Sequence, residues 1–189
     1  STRIMLPESQ HWSQTPNLYT TTMNDATVAP LVGIIANHNY DGIDQYHGAT
    51  TTPAALNSYG LPLWETEVSV STNYDGSITN ALYWAGRIHS FMVAPQANAW
   101  HFWWLKPTSS NVDNGLMDIS GNPAKRLYAI GQFSRFARPG YYRLGVANST
   151  GPAQVSAYKD TNSGVFCIVA INNTPNNLGQ TCYLSNFTA

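Results

Sequence analysis

Leu63-Trp64-Glu65-Thr66-Glu67-Val68-Ser69 is a short apolar run with two carboxylates set into it. Together with Leu61-Pro62 it has the length and the aromatic and β-branched content of a buried strand, and Gly60 marks its start. Side chains alternate across a strand, so Glu65 and Glu67 are expected on one face. With that face turned into a barrel of parallel strands, Glu65 lies deep and structural while Glu67 reaches the carboxyl end, where such barrels build their sites. A single glutamate is most often a solvated surface residue. Two in an apolar run, in a chain with 10 acidic residues, carry more weight, and Glu67 is the candidate functional carboxylate.

Three further runs share this texture: Arg3–Leu6, Leu31–Asn37 and Ala99–Leu105. Helical segments are expected between and after them. Asn17–Ala26 follows Thr15-Pro16, and Thr52-Pro53 opens a short helix to Tyr59. Asp75–Val93 spaces Ile78, Leu82, Ala85 and Ile88 at helical intervals, and Asn122-Pro123 starts a helix through Phe136 that Pro139-Gly140 ends. Four strand–helix units of roughly 34 residues imply a parallel sheet with crossover helices. After Gly140 the pattern changes to Tyr141–Ala147, Gln154–Lys159, Val165–Ile171 and Thr181–Phe187, short strands separated by turn residues. A spacing of about ten residues points to an antiparallel sandwich. The fold class is therefore α/β, with βα units over residues 1–138 and an antiparallel appendage over 139–189.

The 189 residues are 43% apolar and include 6 Trp, 11 Tyr and 6 Phe, ample material for a core. Nine basic against ten acidic residues leave a net charge of −1. Nucleic-acid grooves and polybasic membrane patches need clustered Lys and Arg, so neither partner is expected. No stretch approaches the ~18 consecutive apolar residues of a membrane span. Polarity comes instead from 18 Asn and 18 Thr, a composition common in secreted carbohydrate-active proteins, so a secreted, extracellular location is expected. Cys167 and Cys182 fall on neighbouring expected strands, either bridged across a hairpin or as two buried thiols. Asn148, Asn172 and Asn186 open N-x-S/T triplets, which matter only in a eukaryotic secretory route.

Other residues join Glu67 at the carboxyl ends of the strands. Asn37-His38-Asn39-Tyr40 ends the second strand, and a Tyr hydroxyl in register with Glu67 can hold its carboxylate; the alternative is a loop His and Tyr satisfied by backbone. Trp100, Trp103 and Trp104 crowd the fourth run, and flat indoles suit the apolar faces of sugar rings, as well as plain packing between sheet and helices. Pro7-Glu8 followed by His11-Trp12 adds an acid and an aromatic. His89 and His101 have no partner at metal-ligand spacing and are read as structural. No zinc spacing, phosphate-cradling glycine pattern or serine elbow occurs, so neither metal nor cofactor is expected.

The residues resemble glycoside hydrolase family 30, over nearly the whole chain. The resemblance is carried by Pro7-Glu8-Ser9, His38-Asn39-Tyr40, Trp64-Glu65-Thr66-Glu67, Ala99–Leu105 and the block from Lys125-Arg126-Leu127-Tyr128 to Gly131-Gln132-Phe133-Ser134-Arg135-Phe136-Ala137-Arg138-Pro139-Gly140-Tyr141-Tyr142-Arg143. Val155–Lys159 and Val169–Asn172 resemble the family's side sandwich. The resemblance implies a (β/α)8 barrel of which strands five to eight are present, and a retaining mechanism. It implies Glu67 as nucleophile, His38, Tyr40 and Trp103 at the subsite of the reacting sugar, and Trp104 and Trp12 as further substrate contacts. The family's acid/base glutamate follows an Asn at the end of strand four, and no Asn-Glu pair occurs here. A complete barrel takes ~250 residues. The missing half is thus expected from another chain, a second copy or a lost segment. The implied substrate is a β-linked polysaccharide, β-1,4-xylan first. The alternatives are β-1,6-glucan, β-1,6-galactan or a glucosylceramide, or a non-catalytic carbohydrate-binding role.

Overall fold

A computed structural model describes residues 2–40, 56, 58–70, 72–109, 112–147 and 151–185. Four parallel strands form the first sheet in the order of the chain: β1 (Ile4–Ser9), β2 (Val32–His38), β3 (Leu63–Val68) and β4 (Ala99–Phe102). Parallel neighbours need crossovers. The described helices α1 (Thr15–Met23) and α2 (Ile78–Val93) supply two of them, and α3 (Lys125–Ser134) follows β4. The expected helix from Thr52 to Tyr59 lies largely outside the described residues; Leu56 within it is buried.

One layer of core lies between the sheet and the helices. Ile35 and Leu63, paired across β2 and β3, pack with Tyr19 of α1 and Phe91 of α2, and Trp12 closes the layer. A second cluster, from Ala85 and Ile88 of α2 to Phe133 of α3 and Tyr158, Val169 and Ile171, joins the helices to the second sheet. That sheet is antiparallel: β5 (Tyr142–Leu144), β6 (Gln154–Lys159) and β7 (Phe166–Ile171). A partial α/β barrel with a side β sheet is therefore the architecture.

Several boundaries differ from the sequence expectation for local reasons. Helix α2 starts at Ile78 rather than Asp75. Ser77 is its N-cap and accepts from Asn80 N at 3.2 Å, while the Asp75 carboxylate caps the preceding turn by accepting from Ser77 N at 2.8 Å. β4 stops at Phe102 because the next main-chain groups pair elsewhere: Trp104 N donates to Asn114 O and Leu116 N to Trp104 O. Helix α3 ends at Ser134, and Gly140, at φ +92°, makes the left-handed turn that leads into β5. Residues 181–185 form no strand. Cys167 on β7 is partly buried, Cys182 is exposed, and both are free thiols rather than a bridge. Asn172 is exposed, with its Oδ1 accepting from Thr174; Asn148 and Asn186 lie outside the described residues.

Candidate functional site

The carboxyl ends of the parallel strands gather Glu8, His38, Tyr40, Thr66 and Glu67. Two extra residues shape this rim. Pairing steps from Pro7↔Ala36 to Ser9↔Asn37, which leaves Glu8 as a bulge on β1 at φ +56°. Pairing also steps from Asn37↔Glu65 to His38↔Glu67, which leaves Thr66 as a bulge on β3. A non-glycine residue in the left-handed region costs conformational energy, and bulges re-aim side chains near functional sites.

The bulge at Thr66 overturns the expectation that Glu65 and Glu67 share a face. Leu63 and Glu65 project to the helix side, where Leu63 joins the core with Phe91 and Glu65 feels the charge of the buried Arg87 on α2. Without the bulge Glu67 would follow them. The extra residue returns it to the side occupied by its partner His38. Glu65 is buried, but beneath α2 rather than in the barrel interior where it was expected.

Glu67 is 23% exposed, enough to meet a ligand and enclosed enough to be oriented. The Tyr40 hydroxyl donates to Glu67 Oε1 at 2.9 Å, and His38 Nδ1 lies 3.6 Å from the same oxygen. On its other side, His38 Nε2 is 3.2 Å from Glu8 Oε2, which also accepts from the Thr66 hydroxyl at 2.8 Å. One imidazole thus spans two carboxylates. Burial pushes the Tyr40 phenol up to about 12; the Ser69 hydroxyl works against this shift, and the negative charges of Glu67 and Glu65 add to it. Tyr40 therefore remains a proton donor throughout the neutral range. Asn39 N donates to Glu67 O, and Arg87 Nη2 donates to Asn39 O at 2.8 Å, so the loop bearing Tyr40 is tied to β3 and α2.

Trp103 and Trp104 follow β4, 43% and 39% exposed, with their rings edge to face at 4.9 Å. Trp103 N donates to Val68 O, which fixes the start of this segment beside the end of β3. The segment itself is anchored from below by Arg126, fully buried on α3. Its guanidinium bonds Gly115 O at 2.7 Å, Asp75 O, Asn80 Oδ1 and Asp113 Oδ1 at 2.6 Å. Gly115 is required there, because a Cβ would lie 2.6 Å from Met117 O.

The sequence-derived candidates therefore divide. His38, Tyr40 and Glu67 come together, and Trp103 and Trp104 are presented to solvent. Trp12 does not join the rim. It is 4% exposed and packs against Phe91 at 5.8 Å, because the short helix Trp12–Gln14 turns the indole into the core. Thr66 and Ser69 were missed, since hydroxyls carry no signal until a partner is near. His101 is structural, its ring Nδ1 donating to Glu65 O at 2.9 Å. No group of His, Cys, Asp and Glu able to hold a metal ion occurs among the described residues.

A parallel sheet with its helices and a side sheet define the class: part of an α/β barrel, with a held glutamate as the candidate site at its carboxyl rim. No family model matches the chain. It is 31% identical to glucuronoxylanase XynC of Bacillus subtilis over 195 residues, covering 99% of this chain and 43% of that protein. Its structure resembles the family 30, subfamily 8 xylanase Xyn30A of Clostridium acetobutylicum, with TM-score 0.72, 32% identity and coverage of 92% of this chain and 41% of the other. The catalytic domain of family 30 xylanase C from Talaromyces cellulolyticus follows at TM-score 0.71 and 26% identity, covering 93% of this chain and 40% of the other. The chain is a glycoside hydrolase family 30 homologue. It spans less than half the length of the relatives it matches.

Proposed function

We propose that this chain forms part of a retaining glycoside hydrolase that cleaves β-1,4-xylan, with Glu67 as the nucleophile. The observation that carries the reading is the Tyr40 hydroxyl on Glu67 Oε1. It fixes the carboxylate through one oxygen and leaves Oε2 to attack an anomeric carbon. The Tyr40 bond stabilises the carboxylate before attack, weakens as the glycosyl ester forms and its charge is lost, and strengthens again as the ester breaks and the carboxylate leaves. Trp103 and Trp104 offer indole faces to a xylosyl ring, and His38 completes the subsite.

Retaining hydrolysis needs a second carboxyl ~5–5.5 Å from the first to protonate the leaving oxygen. Glu8 is engaged by His38 and Thr66, and Glu65 is buried. The general acid is assigned to residues outside these 189, because the family's acid/base glutamate follows an Asn and no Asn-Glu pair occurs here; the chain itself is read as a barrel part at residues 1–138 and a side part at 139–189. Relatives more than twice as long support further residues in the full protein. Extracellular action follows from the size of the polymer, and no described helix is long and apolar enough to cross a membrane.

The test is covalent trapping. A 2-deoxy-2-fluoro xyloside with an activated leaving group needs the nucleophile but no acid for its first step. Mass mapping of the full-length protein is expected to find one glycosyl adduct, on Glu67, and none in Glu67→Gln. An adduct on another residue overturns the nucleophile, and faster labelling by the corresponding 2-deoxy-2-fluoro glucoside overturns the choice of xylan.

A further inference from the structure

Glu65 is a buried acid that the proposed chemistry leaves unused, and its hydrogen bonds are with main chain. Its side chain is fully buried. Oε1 accepts from Glu67 N at 3.0 Å and Oε2 from His101 N at 3.1 Å. The exchange with His101 is reciprocal, since the ring Nδ1 of His101 donates to Glu65 O at 2.9 Å.

These bonds fall where the sheet loses its own. Pairing of β3 with β4 steps from Glu65↔Trp100 to Val68↔Phe102, so β3 has one residue too many over this interval. The same extra residue interrupts pairing with β2. A bulge leaves main-chain donors out of the ladder, and a buried donor must find an acceptor. A leucine or methionine at position 65 fills the space but accepts nothing. A carboxyl reaches both donors at once, one on its own strand and one on β4.

We propose that Glu65 is a positioning residue for Glu67. Its carboxyl replaces the ladder bonds lost at the bulge and so fixes the direction in which the Glu67 side chain leaves β3. This inference rests on the assignment of Glu67 as nucleophile and deepens it, because it names what aims that group. Arg87 contributes from α2: it offsets the buried charge and ties Asn39, whose amide donates to Glu67 O, to the same seam. Glu65 acts through the backbone of Glu67 and needs no contact with the sugar.

The experiment compares the full-length protein with Glu65→Gln and Glu65→Leu. Two readouts are taken: the saturating rate at which the activated 2-fluoro xyloside labels Glu67, counted per folded molecule, and amide exchange at Glu67 and His101. Loss of both acceptors in Glu65→Leu is expected to slow labelling by about 30-fold or more, and Glu65→Gln, which keeps one acceptor oxygen, falls between. The xyloside concentration at half-saturation stays within about twofold, since misdirected attack affects the bond-forming step. The amides of Glu67 and His101 exchange about tenfold faster or more, while those within α2 do not change. Faster exchange or a lower melting temperature with an unaltered labelling rate per folded molecule overturns the proposal, as does unaltered exchange at both amides. If Glu65→Leu does not fold, the Gln variant decides by the same criteria. If the wild-type protein labels elsewhere than Glu67, the nucleophile assignment fails, and the proposal falls with it.

Discussion

Thr66 donates its hydroxyl to Glu8 Oε2 over 2.8 Å, across 58 residues of sequence, and each of the two is the extra residue of a bulge. They flank β2 from opposite sides, and His38 at its end turns Nε2 to the same Glu8 oxygen. The bulges thus brace one another over the strand that delivers His38 and Tyr40. Thr66→Val keeps the shape and removes the hydroxyl. It is expected to lower the urea midpoint by the equivalent of about 1 kcal/mol, and Thr66→Ser to restore most of it. A Val variant as stable as the wild type contradicts this bracing.

Tyr40→Phe deletes the hydroxyl that donates to Glu67 Oε1. A hydrogen bond to a charged group contributes about 1.5–3 kcal/mol, so kcat/KM is expected to fall by roughly 10- to 100-fold. The fall is expected mainly in kcat. Since the phenol is held up at about 12, the wild-type rate shows no loss from Tyr40 ionisation below pH 10.

Stability depends on pH through Glu65. Burial raises its carboxyl well above the ordinary value of 4.5, against the pull of the backbone donors and Arg87. A group whose folded value is raised contributes stability that is fully present below its unfolded value and is lost as pH rises through the folded one. The full-length protein is therefore expected to lose stability on this account as pH rises above 4.5. Glu65→Gln has no proton to lose there. Urea midpoints taken from pH 4 to about 8 are expected to fall less steeply in the variant; parallel curves contradict the assignment.

Arg126 and Asp113 form a buried pair, 0% and 1% exposed. Burial pushes the Asp113 carboxyl above its usual range, while the Asp75 amide and the Arg126 guanidinium work against that shift. Removing one partner leaves the other charge buried alone, so Asp113→Ala is expected to cost about 3–5 kcal/mol in denaturant unfolding. Its carboxylate also accepts from Asp75 N and Asn80 Nδ2, so the loops after β3 and β4 loosen together.

Trp103→Ala and Trp104→Ala test the aromatic platform. The rings are largely free of core packing and touch one another edge to face. Each substitution is expected to raise KM for xylan by roughly two- to tenfold, corresponding to about 0.5–1.5 kcal/mol of ring contact, with the melting temperature little changed. A fall in stability with unchanged KM assigns the indoles to packing instead.

The order of parallel strands could be read in advance because each strand is a local apolar run between breakers, and a crossover helix constrains where the next strand lies. The core face of α2 was legible in part: Ala85 and Ile88 are buried and Leu82 packs against the same cluster, but Ile78 is exposed. The strand end at Phe102 was not. Trp104 and Leu105 have strand-like side chains, but their main-chain partners, Asn114, Leu116 and Met117, lie ten or so residues ahead in a loop whose path no periodicity encodes. Trp12 was misjudged for a related reason: whether an indole faces a rim or a core depends on a turn of three residues, Trp12–Gln14.

The amino-acid order by itself determined which residue types reach the strand ends, because alternation, breakers and composition act over a few neighbours. It offered Glu67, Tyr40 and His38 as candidates, and its few Lys and Arg argue against a nucleic-acid groove or a polybasic membrane patch. Only the tertiary structure decided that Glu65 and Glu67 part company. One inserted residue reverses the face of every residue beyond it, and whether a strand accommodates it as a bulge depends on what the neighbouring strands and α2 offer the freed amides. That is a property of three strands and a helix packed together, and no one of their sequences contains it.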